Sequence, residues 1–441
     1  MITRIEIDGF KSFAGFRLDV PPVLVLLGPN GAGKSNLFDA LRLVAAAVRG
    51  EADDAVRSDA RLAPGSLFRR TGRDRASTSE GFTISVDAIV PASTGPLPVT
   101  IQLVMDRQEY RIERPGASLS YSAAVRVNES AQWSGDLPAA IGRDFLDTAE
   151  QSREEFLSGS DMKGLQLASV GRNPWSDHGS PSWDSFVPNA LGDFNRQRNV
   201  QEELRHLVLQ ECADWQTLVL DPSVARRPAP ALSGAPLGSN GANLAGVLER
   251  IANDAPATWS RLVADLAALV DGVKDVRTDY DDRRQELDFD VDFSHTGWCA
   301  PPMLSDGTLR MLGLLAAAAD PARHGPLCVE EIENGMYAEK VADLLRRLGR
   351  RTGGRQEGPG AYRQLIATTH SPVLLAALRE DLTGALVFLD QADQVDPDSR
   401  SISRTTVARP LRAFDPEAEP GETVTPEHVG RLLRRLGQGA A

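Results

Sequence analysis

Eight consecutive residues, Gly28-Pro29-Asn30-Gly31-Ala32-Gly33-Lys34-Ser35, satisfy the phosphate-loop pattern in full. They stand where such a loop works, directly after the apolar run Val23-Leu24-Val25-Leu26-Leu27 and before a stretch of helical periodicity from Asn36 to Val48. Glycine lets the backbone curl, so that N–H groups along Asn30, Gly31, Ala32 and Gly33, and on into the first helical turn at Asn36, point at a β-phosphate. In that geometry Lys34 reaches the β and γ phosphates and Ser35 ligates magnesium. The chemistry expected of these residues is the binding of ATP with Mg2+.

Later segments add groups that act on such a nucleotide. Gly325-Pro326-Leu327-Cys328-Val329-Glu330-Glu331 is a short apolar strand ending in two carboxylates. Hydrolysis needs one acid to hold magnesium, directly or through water, and a second to orient or deprotonate the attacking water. Glu330 and Glu331 fit those roles in that order. Met303-Leu304-Ser305-Asp306-Gly307-Thr308-Leu309-Arg310 leads into an apolar helix, Met311 to Ala319, with Ser305 at its cap position. This Ser-x-Gly start, 26 residues before Glu331, resembles the signature motif of the ATP-binding-cassette (ABC) ATPases. In that class the serine hydroxyl and glycine N–H of one subunit bind the γ-phosphate held by the other. Gln364-Leu365-Ile366-Ala367-Thr368-Thr369-His370-Ser371-Pro372 is another apolar strand, and His370 at its end matches the switch histidine that senses the γ-phosphate.

These residues need a frame. The opening reads as strand, turn, strand, helix, with alternation from Ile2 to Ile7 and then the turn Gly9-Phe10-Lys11-Ser12-Phe13. Further strands are expected at Gly81 to Val90, Val99 to Met105 and Glu109 to Glu113. Arg61, Arg69, Arg70, Arg73 and Arg75 stand against Asp74 alone, which reads as a solvated loop or as a contact for nucleic acid or a partner. From about Arg114 to Trp215 the pattern weakens around Arg172-Asn173-Pro174-Trp175 and Ser180-Pro181-Ser182-Trp183, as in an inserted subdomain. A helical stretch follows from Asn243 through Leu269. Leu287, Phe289, Val291 and Phe293 then alternate with Asp288, Asp290 and Asp292, the period of a half-buried strand.

Composition narrows the functional classes. The chain has 441 residues, 41% hydrophobic and 25% charged, which excludes wholesale disorder and suggests two or three folding units. No apolar run approaches the roughly 18 to 20 residues that span a bilayer, and a cytoplasmic location is expected. The net charge of −13 repels phosphate backbones and argues against a general DNA coat. Cys212, Cys299 and Cys328 match no zinc spacing, so neither a disulfide framework nor a metal cage is expected.

The motif series resembles the branch of ABC-type ATPases that includes the structural-maintenance-of-chromosomes (SMC), RecF and overcoming-lysogenization-defect (OLD) proteins. Gly9-Phe10-Lys11-Ser12-Phe13 is similar to the opening of SMC proteins. Leu304 to Thr308, with Glu330-Glu331-Ile332-Glu333-Asn334-Gly335, resembles compact ATPases near RecF and OLD. The resemblance covers roughly 1–48 and 239–378. It implies a two-lobed α/β head: a mixed core sheet with the phosphate loop, a helical lobe with the signature, and an insertion. The corresponding parts are 1–113, 114–215 and 216–441. It also implies a phosphate-proximal Lys11, ATP hydrolysis, and an isologous dimer or assembly of dimers.

The departures from these relatives are as informative. No sustained heptad is present for an SMC-like coiled-coil arm, and no set of acids for the Toprim nuclease of OLD proteins follows Val387-Phe388-Leu389-Asp390. Relatives often continue Glu-Asn-Gly with Leu-His-Pro, where this chain has Met336-Tyr337-Ala338. Gln102 and Gln108 are weak candidates for the glutamine that links magnesium to the helical lobe. Three roles stay open at this point. The first is an ATPase governing a separate nuclease or toxin in anti-phage defence. The second is a RecF-like DNA-repair ATPase touching duplex DNA through Arg69 and Arg70, and the third is a transporter subunit.

Overall fold

A computed structural model of the chain describes residues 1–71, 78–106, 121–128, 141, 143–158, 166–170, 194–213, 215, 217–231, 234–323, 325–349, 364–378, 385–395, 402–412 and 423–438. Along the chain the strands are β1 (Ile2–Asp8), β2 (Phe16–Asp19), β3 (Val23–Leu27), β4 (Gly81–Ala92), β5 (Gly95–Asp106), β6 (Tyr121–Val127), β7 (Gln166–Val170) and β8 (Thr217–Leu218). They continue with β9 (Ala229–Pro230), β10 (Val273–Asp281), β11 (Glu286–Phe293), β12 (Gly297–Cys299), β13 (Leu327–Val329), β14 (Leu365–Thr369), β15 (Leu386–Val395) and β16 (Ile402–Pro410). The chain divides into two compact units, Met1–Trp215 with Gly384–Ala441, and Gln216–Thr383.

The first unit contains an antiparallel sheet in the order β2-β1-β4-β5-β6-β7. Separately, β3 lies parallel to β15, which pairs antiparallel with β16. All five residues of β3 are buried, as its unbroken apolar run requires. The helix Lys34–Arg49 that follows buries Leu37, Leu41, Val44 and Val48, positions spaced three or four apart, together with most of its other residues. Gly50 ends it in a left-handed conformation, its N–H returning to Ala46 O and Ala47 O.

The described residues of 114–215 join this first unit. β6 extends the sheet from β5, and the helix Phe194–Ala213 buries Leu204, Val208 and Cys212 while Arg49 Nη1 donates to Cys212 O at 2.9 Å. The expected strand at 109–113 and both tryptophan-bearing stretches, 172–175 and 180–183, lie outside the described residues.

In the second unit β8, β13 and β14 are parallel neighbours, with β13 in the middle. A second sheet runs β10-β11-β12, and β9 also pairs with β11. The helical stretch expected from Asn243 to Leu269 is two helices, Leu244–Asp254 and Pro256–Leu269. Pro256 has no N–H to continue the ladder and disfavours helical geometry at Ala255, so the chain restarts there.

The helix Asp306–Ala319 is pinned at its far end by Asp320, which is 1% exposed and receives the guanidinium of Arg250 bidentately, at 2.9 and 2.7 Å. Removing the guanidinium takes the countercharge from a buried carboxylate that otherwise accepts the Ala322 N–H at 3.0 Å. Arg250→Leu is therefore expected to destabilise the second unit by about 3 to 5 kcal/mol. Chemical denaturation followed by intrinsic fluorescence checks this; an unchanged midpoint would show that the pair holds nothing.

A candidate nucleotide site

The phosphate loop is shaped by close approach rather than by side-chain capping. Gly31 and Gly33 have φ of 81° and 102°, the left-handed region that favours glycine. A Cβ on Gly33 would stand 2.3 Å from Thr406 Oγ1, and one on Gly28 2.4 Å from Leu389 O; one on Gly31 would meet open space. Gly33 occupies the cap position of the helix Lys34–Arg49, which has no side-chain cap and no acid in its first turn. The helix therefore presents its first-turn N–H groups and positive end without a protein anion to neutralise them.

A second layer of residues fixes this curl. Thr406 Oγ1, from β16, pairs with Ala32 O at 3.0 Å and with Ser12 Oγ at 2.8 Å, and Asn36 Nδ2 donates to Ser12 Oγ at 2.9 Å. Gln391 Nε2, from β15, donates to Gly31 O at 2.6 Å. Lys34 is 8% exposed, and its ammonium donates to Gly28 O at 2.6 Å and Pro29 O at 2.9 Å, poised at the loop it belongs to. Asn30 is exposed and Ser35 half-buried.

The turn Gly9–Phe13 is anchored by its aromatics. Phe10 stacks edge-on against Phe82 at 5.2 Å, Phe13 packs on Phe16 at 4.6 Å, and both are fully buried. Between them Lys11 takes a left-handed φ of 46°. Its ammonium is held by Asp39 Oδ2 at 2.5 Å and Arg61 O at 2.8 Å. Asp39, buried on the phosphate-loop helix, also accepts from Arg42 and from Arg61, the latter at 3.1 Å. Burial pulls the Lys11 pKa below its ordinary value although the Asp39 hydrogen bond and charge oppose the shift. Lys11 thus has a carboxylate partner inside the protein where a phosphate contact was expected.

In the second unit β13 and β14 run parallel and carry their polar residues to the same end. Glu330, half-buried, donates its N–H to Leu218 O at 3.2 Å. Glu331 is exposed with φ of 48°, a conformation that costs a non-glycine residue about 1 kcal/mol or more. Its N–H bonds Thr368 Oγ1 at 2.9 Å, and the N–H of Ile332 bonds Thr368 O at 3.1 Å, which locks the strained residue in place. Glu333 Oε1 accepts the main-chain N–H of His370 at 3.0 Å and lies 3.3 Å from its Nδ1. The unit therefore brings Glu330, Glu331, Glu333 and His370 to one loop cluster.

Ser305 caps the helix Asp306–Ala319, accepting from the Thr308 N–H at 3.2 Å and pairing with its hydroxyl at 2.8 Å. Arg226 Nη2 donates to Leu304 O at 3.0 Å and Asp306 Oδ1 at 2.7 Å, steadying the approach to the cap. A Cβ on Gly307 would lie 3.3 Å from Gly335 O, so the start of this helix meets the Glu-Asn-Gly loop. Met303 and Tyr337, flanking these two glycines in sequence, are 71% and 86% exposed.

Other sequence candidates fare differently. Arg69 is 7% exposed and donates to Gln394 Oε1 at 3.1 Å and Ser403 Oγ at 2.8 Å, which corrects its reading as a solvated or DNA-facing side chain; Arg70 is exposed. Arg73, Arg75 and Gln108 lie outside the described residues, and Gln102 sits mid-strand in β5. The three cysteines are free and buried, and burial pushes the Cys328 thiol up to about 12. No group of three or more His, Cys, Asp or Glu that would hold a metal by itself occurs among the described residues. A Mg2+ carried mainly by phosphates and water needs no such group. No helix among the described residues is long and apolar enough to cross a membrane.

Residues 23–88 and 260–376 match the family described as "AAA domain, putative AbiEii toxin, Type IV TA system". The chain is 24% identical over 216 residues to structural maintenance of chromosomes protein 1 of Schizosaccharomyces pombe, covering 46% of this chain and 17% of that protein. It is 50% identical over 46 residues to the chromosome partition protein Smc of Rhodopirellula baltica, covering 10% and 4%. The chain thus spans a small fraction of the length of these relatives. Among solved structures, an SMC head bound to the C-terminal winged-helix domain of ScpA superposes with a TM-score of 0.52 at 12% identity, over 93% of this chain and 98% of that one.

The two loop glycines give a graded expectation. Gly33→Ala collides with Thr406 as well as taking a disfavoured φ, so it should weaken nucleotide binding more than tenfold. Gly31→Ala pays only the conformational term of about 1 to 2 kcal/mol. Titration with a fluorescent ATP analogue ranks the two; equal losses would contradict the packing account.

Proposed function

We propose, from the premise that this chain has the fold of an SMC-like ABC-type ATPase head, that it binds and hydrolyses ATP at sites shared between two copies. Asn30, Gly31, Ala32, Gly33, Lys34, Ser35 and Asn36 hold the phosphates of one nucleotide. Ser35 and Glu330 would hold magnesium, which would supply charge neutralisation at the phosphates. Glu331 accepts the proton of the attacking water and His370 contacts the γ-phosphate. Ser305 and Gly307 of the second copy close the site, so binding ATP draws two copies together and hydrolysis releases them.

The observation that carries this reading is the state of the signature helix start. Ser305 is solvent-facing at a helix start that also carries Asp306 in its first turn; Met303, two residues before it, and Tyr337, two residues after the Gly335 that meets Gly307, are exposed. Large side chains left exposed around a helix start suit a protein surface rather than water.

The nucleotide-dependent association is proposed to control a separate effector, a nuclease or toxin, in a bacterial anti-phage defence system. The description of the matching family, which names a toxin system, and the net charge of −13 support this role. The alternative, a RecF-like repair ATPase that binds duplex DNA, draws support from the SMC relatives. It loses Arg69 as a contact, because that guanidinium is buried. Strong duplex binding at physiological salt by the isolated protein would favour this alternative.

Glu331→Gln should leave ATP binding nearly intact and slow hydrolysis by about a hundredfold or more, because the amide does not accept the proton. Light scattering should then show ATP-dependent growth of the particle. Adding Ser305→Arg should abolish that growth while each copy still binds ATP at Lys34. A particle size indifferent to ATP and to Ser305→Arg would show that copies meet elsewhere.

A further inference from the structure

We infer that Glu333 is the positioning residue for His370, setting the direction in which its ring faces phosphate. The inference rests on the reading of His370 as the γ-phosphate contact. Glu333 Oε1 takes the His370 main-chain N–H at 3.0 Å and stands 3.3 Å from Nδ1, so one carboxylate oxygen fixes both the backbone and the ring of the same residue. The Glu333 side chain is 12% exposed, while that of His370 is 48% exposed and leaves the far edge of the ring open to a ligand. The carboxylate does not drift, because its loop is pinned by the N–H of Met336 on Glu333 O at 3.0 Å and by the two bonds to Thr368.

The carboxylate faces the Nδ1 edge of the ring, which leaves Nε2 on the edge away from it. Its other oxygen, Oε2, is buried without a hydrogen-bond partner among the described residues, so the acid is held here at a cost that a purely structural cap would not need. Glu333 thus acts through His370, holding its backbone and facing one edge of its ring.

A double-mutant cycle in the full chain tests this. His370→Ala, Glu333→Ala, the double variant and Glu333→Gln are compared for kcat and KM, with affinity for a fluorescent ATP analogue as the check on folding and on the Lys34 site. His370→Ala should lower kcat by about a hundredfold or more. Glu333→Ala should lower kcat by a comparable factor with KM little changed, and should add less than about twofold once His370 is already alanine. Glu333→Gln, which keeps the acceptor and loses the charge, should fall between parent and Glu333→Ala, and should likewise have no effect in the His370→Ala background. This isosteric variant carries the cycle if Glu333→Ala misfolds. Losses that multiply in the double variant, or an unchanged kcat on replacing Glu333 in a protein that His370→Ala does cripple, would overturn the inference alone. An unchanged kcat for His370→Ala would instead bring down the reading of His370 and this inference with it.

Discussion

The phosphate loop depends on one steric constraint: there is no room for a side chain at Gly28 or Gly33. Leu389 O and Thr406 Oγ1 occupy those places at 2.4 and 2.3 Å from where a Cβ would stand. The hairpin β15–β16, from the far end of the chain, is thereby seated directly on the loop. Its Thr406 and Gln391 then satisfy the loop's carbonyls at Ala32 and Gly31, while the Ala32 N–H closes a turn on Pro29 O at 3.2 Å. Ser12 and Asn36 complete the same layer from the opening turn and the helix, at 2.9 Å from each other.

The second unit solves a different problem, which is to hold acids and a histidine at strand ends in an unrelaxed arrangement. Glu331 stays at a φ of 48° because Thr368 takes hydrogen bonds from two consecutive N–H groups there. Backbone strain at an exposed carboxylate, paid for by neighbouring hydrogen bonds, is characteristic of residues whose direction matters more than their stability. Glu333 and His370 are coupled by the same short loop. Gly335 then brings that loop against Gly307, at the start of the helix Asp306–Ala319.

Much of this was legible in local pattern. The apolar run of β3, the glycine-lysine-serine loop and the helical period after it are consecutive, and they fold as consecutive elements. Period-two alternation marked β11, strands were expected within the bounds of β4 and β5, and Ser305 read as a cap and is one. What was not legible lies far apart in sequence: Thr406 meets Ala32 across 374 residues and Gln391 meets Gly31 across 360, and no spacing rule ties them. Arg69 looked like one of a cluster of solvated arginines, and only the side chains of Gln394 and Ser403 make its burial tolerable. Lys11 was read beside phosphate from its motif, whereas Asp39, a polar residue on an otherwise apolar helix face, is the partner that a closer look at that face would have raised.

The central claim is that each site is built from two copies, the phosphate loop of one and the signature of the other. Mixing two inactive chains tests it most directly. Lys34→Ala and Ser305→Arg each disable every site of a homodimer, but a mixed dimer pairs the intact Lys34 of one chain with the intact Ser305 of the other. The account predicts that equal mixing restores hydrolysis well above the sum of the two components, since only a mixed pair has a complete site through which ATP draws the copies together. A mixture no more active than the sum of its two components would contradict it.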